Sequence, residues 1–148
     1  MDAVRTLAKP LIVLARKNPV PDVFTKGSQI SLDLFSDGGI SRWIAGGTGG
    51  LLRHTSSHGW LIYNSDRGAF QTDHAVAVLY QVMREYEVLL GEQVVHVAVM
   101  DQDKAYREYR FFRNQPRKKS VIEAMTHEPE ITMLPAELVH LNVFRAQC

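Results

Sequence analysis

Apolar residues at the start of the chain recur with a helical period. Val4, Leu7, Ala8, Leu11, Leu14 and Ala15 share one stripe, which predicts an N-terminal helix that Asn18-Pro19 stops. Pro10 removes a hydrogen bond to the carbonyl of Thr6, so that helix either kinks or begins near Pro10. The period then changes to two. Ile30, Leu32 and Leu34 alternate with Ser31, Asp33 and Phe35 over 29–35, the pattern of a strand, and Ser36-Asp37-Gly38-Gly39 supplies hairpin-turn chemistry. The segments 40–45, 51–55 and 60–64, separated by Gly46 to Gly50 and by His58-Gly59, continue an antiparallel meander. Ala75, Val76, Leu79, Val82, Met83, Tyr86, Leu89 and Leu90 return to helical spacing. They predict a long helix over 73–90, capped by Thr72 or Asp73 and ended by Gly91.

The pattern beyond residue 93 divides into shorter pieces. Val94 to Met100 is a β-branched run of strand length, and 138–144 predicts a last strand. The segment 104–114 fits either period: Ala105, Tyr109 and Phe112 suit a helix, whereas Arg107, Tyr109, Phe111 and Arg113 would share one face of a strand. Residues 120–126 predict a short helix with Ser120 and Glu123 as a capping box. The sum is one α+β domain over 1–148, an antiparallel sheet of about five strands packed by the 73–90 helix and the N-terminal helix.

Composition narrows the class. A length of 148 residues, with 45% apolar and 22% charged positions, suits one folded domain that needs no disulfide or metal to hold it. The single cysteine, Cys148, excludes an intramolecular disulfide and any site built from several thiolates. No apolar run approaches the roughly 20 residues of a membrane-spanning helix. The stretch Leu11 to Ala15 is too short for a secretory signal core, so the expectation is a cytoplasmic protein with no membrane partner.

Charge changes the picture more. From Lys104 to Lys119 seven basic residues and four aromatics are interleaved and opposed by one acid, Glu108, a net +6 in a chain of net +1. A basic patch on a mildly acidic body favours phosphates or an acidic protein surface. Arginine forks onto phosphate while tyrosine and phenylalanine stack on bases, so single-stranded nucleic acid or RNA is the leading partner. The residues expected to carry it are Arg107, Tyr109, Arg110, Phe111, Arg113, Arg117, Lys118 and Lys119. The run Arg117-Lys118-Lys119, directly after Pro116, is expected at the surface.

Other constellations are weaker. The loop Gly46-Gly47-Thr48-Gly49-Gly50 lacks the Lys-Ser/Thr of a P-loop and has Leu52 where a dinucleotide fingerprint needs glycine, which leaves a turn. Asp101 and Asp103 follow a strand-like run, where carboxylates hold magnesium in α/β enzymes, yet one of them capping a helix from Lys104 explains both. His54 and His58 stand four apart without an intervening glutamate or a nearby cysteine. His54-Thr55-Ser56 resembles half of the His-x-Ser/Thr pair of the two-histidine phosphodiesterases, but no other histidine completes the pair. The order helix, strands, helix, strand resembles the core of restriction-endonuclease-like nucleases, whose acid-x-Lys element has no counterpart here.

These readings predict a binding protein without cofactor or metal rather than an enzyme. The first alternative is an interaction or inhibitory module that docks an acidic or nucleic-acid-binding protein. The second is a metal-dependent phosphodiester hydrolase using Asp101 and Asp103 with His54 or His58.

Overall fold

The structure is a computed structural model that describes residues 2–134 and 143–144. The first helix, α1 (Ala3–Lys17), starts where Asp2 accepts a hydrogen bond from the Val4 amide and continues through Pro10. Its Ala8, Leu11 and Ala15 face the core and pack on the long helix α3 (Ala75–Gln93). From α3, Val78, Leu79, Val82, Met83, Tyr86 and Leu90 are buried in return. Each large side chain withdrawn from water there contributes about 1.5–3 kcal/mol before the entropy of ordering it.

A second helix, α2 (Asp37–Gly46), stands where a turn and a strand were expected. Ser36 accepts from the Gly39 amide at 3.0 Å and so caps the helix. Ile40, Trp43 and Ile44 then fall at i, i+3 and i+4 on a buried face. A Cβ on Gly39 would sit 2.2 Å from the carbonyl oxygen of Asp33, so the glycine allows close backbone approach and makes no hairpin turn. The expected strand over 29–35 is likewise mostly absent. Thr25–Lys26 (β1) and Gln29–Ile30 (β2) make a two-residue ribbon, and Leu32–Phe35 coils into a 3₁₀ turn capped by Ser31.

The main sheet is smaller than the predicted five antiparallel strands. β3 (Leu52–Thr55), β4 (Gly59–Asn64) and β5 (Ala69–Gln71) form an antiparallel meander, and the two-residue β6 (Val143–Phe144) adds parallel to β5. The remainder of the predicted 138–144 strand lies outside the described residues. On the other edge the chain at Ile131–Met133 runs alongside β3: the His54 amide donates to the Ile131 carbonyl at 2.8 Å and the Met133 amide to the His54 carbonyl at 2.9 Å. Val94 to Met100, expected as a strand, forms two 3₁₀ turns. Val97 is buried and bridged to Ile30 and Val94 packs partly against the core, while Val95, Val99 and Met100 are exposed.

The ambiguous segment 104–114 resolves as a helix, α4 (Gln102–Phe112), followed after two residues by α5 (Gln115–Met125). Pro116 fits the first turn of α5, where the missing amide costs nothing. The helix therefore starts five residues before Ser120, and no Ser120–Glu123 capping box forms: the Ser120 hydroxyl donates to the Pro116 carbonyl.

Two details of α3 also differ from expectation. Its N-cap is His74, at φ 67° the only non-glycine residue with positive φ among the described residues, with no side-chain cap bond. The helix also runs past Gly91, where a Cβ would meet the Tyr109 ring at 2.9 Å. The glycine is there for the approach of α4, not to end α3.

Candidate nucleic-acid interface

α4 presents two faces. Ala105, Phe112 and the partly buried Tyr109 turn toward α3 and the core. Asp103, Lys104, Tyr106, Arg107, Arg110, Phe111 and Arg113 are exposed. A helix places Lys104, Arg107 and Phe111 on one row (i, i+3, i+7) and Tyr106, Arg110 and Arg113 on the next, over roughly 14 Å of axis. The Arg110 guanidinium lies 5.9 Å from the Tyr106 ring centroid, and Tyr106 and Phe111 are 49% and 54% exposed. Exposed aromatics of this size beside unpaired arginines supply both a stacking surface and phosphate donors. Among the described residues Lys104, Arg107, Arg110, Arg113 and Lys119 enter no ion pair.

Three of the eight residues expected at the interface do not join it. Arg117, whose side chain is 12% exposed, donates to Asp37 and Glu108 and, at 2.7 Å, to the Phe35 carbonyl. Those carboxylates raise its pKa further although burial opposes them. Lys118, equally covered, pairs with Glu87 of α3. The expectation that both would be exposed fails because carboxylates of other elements meet them where α5 packs against α2 and α4 and comes within ion-pair reach of α3. Tyr109 fills the space that Gly91 leaves. Conversely, Lys104 and Tyr106, which were not among the eight, share the outward face; the seven-residue spacing from Lys104 to Phe111 was the available signal.

The candidate catalytic groups remain apart by element. Asp101 stands at the N-cap position of α4 without making the expected cap bond, and Asp103 is exposed in the first turn, where the helix dipole favours an acid. His54 is on β3, its ring edge-to-face with Trp60 at 5.0 Å, and burial lowers its pKa below the usual value against a smaller opposing pull from Glu123. His58 Nδ1 lies 2.8 Å from the Ser57 hydroxyl in the β3–β4 turn. No group of three His, Cys, Asp or Glu side chains that could hold a metal ion occurs among the described residues. The Gly46–Gly50 loop is a turn from α2 to β3 rather than between strands, with Gly49 and Gly50 at positive φ and Thr48 buried against the Ala45 carbonyl.

Beside the outward face of α4 runs a groove. Its far wall is the 3₁₀ turn and the start of α2, its near wall Lys104 and Glu108, and it continues past Arg107 to Phe111, as two adjoining depressions of about 510 and 270 Å³. A separate cavity of about 490 Å³ lies between α1 and the β4–β5 turn, with His74 at its rim. No helix among the described residues is long and apolar enough to cross a membrane. No known protein family, curated protein or solved structure matches the chain.

Proposed function

We propose that the protein binds nucleic acid, single-stranded or RNA, through the outward face of α4. The observation that carries this reading is the helical alignment of Lys104, Arg107, Arg110 and Arg113 with the exposed rings of Tyr106 and Phe111. Cations alone describe many solvated helices; cations interleaved with rings left in water suit a ligand that has both phosphates and π-faces. Tyr109, Arg117 and Lys118 serve the fold in this reading, and Lys119, exposed on the second turn of α5, extends the charged surface.

The test is the salt dependence of binding to a labelled oligouridylate. The parent should lose affinity with log salt at about −0.7 per phosphate neutralised, and changing Lys104, Arg107, Arg110, Arg113 and Lys119 to Ser should flatten that slope by up to about 0.7 per cation removed. If the folded five-fold variant binds as the parent does, α4 is a solvated face. The protein-docking alternative then takes its place, favoured by the exposed Val95, Val99 and Met100 just ahead of α4.

A further inference from the structure

The groove contains groups that a purely phosphate-binding surface would not need. Arg117 occupies one oxygen of Asp37 and one of Glu108, leaving the other oxygen of each without a partner among the described residues, and both side chains are partly exposed, at 42% and 36%. Carboxylates at this place repel phosphates and accept only from donors. Lys104, Arg107, Glu108 and Phe111 together line the outer depression, which falls on one helical row beside the proposed backbone-binding cations. Arg117 lies 5.7 Å from the Phe111 ring centroid and backs that ring while more than half of the residue stays in water.

Resting on the nucleic-acid reading above, we infer that this groove takes one unpaired guanine of the bound strand, stacked on Phe111 with its Watson–Crick edge on the Glu108 carboxylate. Guanine is the base whose edge offers two adjacent donors, the ring N1–H and the exocyclic amine, to match the free Oε1 of Glu108 and the second lone pair that Oε2 keeps beside Arg117; uracil offers one imide N–H, and adenine and cytosine one amine each. Lys104 and Arg107 at the lip hold the phosphates that flank the inserted base. Asp37 supplies a further acceptor on the opposite wall.

The test uses fluorescence anisotropy with ten-residue oligouridylates that carry a single central guanosine, inosine, adenosine, cytidine or uridine, a length and composition that avoid guanine quadruplexes. The guanosine strand should bind about tenfold more tightly than the all-uridine strand, the gain expected of one good bidentate base contact. Inosine, which lacks the exocyclic amine, should lose most of that gain, and Glu108→Gln should abolish the preference without weakening all-uridine binding. Equal affinity for all five strands, or a guanosine preference that survives in folded Glu108→Gln, overturns the guanine site but leaves the nucleic-acid reading standing. Failure of every strand to bind overturns both. The inosine comparison alters only the ligand, so it decides the question even if the variant does not fold.

Discussion

Gly39 and Gly47 show how single positions carry long-range constraints. Around Gly47 the Asn18 amide donates to the Trp43 carbonyl at 2.7 Å and to the Tyr86 hydroxyl at 2.8 Å, and a Cβ would sit 2.2 Å from both the Asn18 nitrogen and the Tyr86 oxygen. Burial pushes the Tyr86 pKa up to about 12, so that hydroxyl remains protonated in the network throughout the physiological range. At Gly39 the obstructing atoms are backbone carbonyls and cannot rotate away. Gly39→Ala and Gly47→Ala should each cost about 1–3 kcal/mol in urea unfolding, the range of overpacked cores, and Gly46→Ala, which meets nothing within 4 Å, should cost much less. Equal costs at all three positions would show that these contacts do not set the requirement, because the backbone entropy of a Gly→Ala change favours the folded state.

At the scale of elements, α1 tolerates Pro10 because the residue lies on the exposed side, where the freed Thr6 carbonyl reaches water. The buried stripe of Ala8, Leu11 and Ala15 against α3 outweighs the lost bond, and the Arg16–Glu85 pair at 3.0 Å adds little at its exposure. Pro10→Ala should therefore raise stability, by up to about 3 kcal/mol. A lower melting temperature would instead mean that the ring shapes the seat of α1 on α3. For α4 the helical resolution decides which rings reach water, since a strand would have put Tyr109 beside Arg107 and Phe111, whereas the helix turns Tyr109 inward and brings Tyr106 out.

For the molecule as a whole, Arg117 is the connection between the 3₁₀ turn, α2, α4 and α5, donating to Phe35, Asp37 and Glu108 at once. Removing it as Arg117→Met leaves a carbonyl and two carboxylates short of donors. Because both acids reach water, the expected loss is about 2–3 kcal/mol by urea titration, below that of a fully buried pair. Arg117→Lys should restore only part, since one ammonium cannot reproduce the planar fork. A loss under about 0.5 kcal/mol for Arg117→Met would mark the cluster as solvated.

Local periodicity determined α1, α3 and the hairpin of β3 and β4, because their apolar residues repeat over enough positions for one period to prevail. Charge pattern singled out 104–119, which folds as most of α4 and the first half of α5. Between residues 29 and 45 alternation and helical spacing compete within short runs, and tertiary packing decided: Ser36 capping α2 and Gly39 lying against Asp33 turned an apparent hairpin into a 3₁₀ turn and a helix. The same holds for Val94 to Met100, where strand-like residues found only the single bridge to Ile30. Which cations remain free was beyond the reach of sequence, since Arg117 and Lys118 meet Asp37 and Glu87, carboxylates 80 and 31 positions earlier in the chain that only the tertiary placement of α5, packed on α2 and within ion-pair reach of α3, brings near.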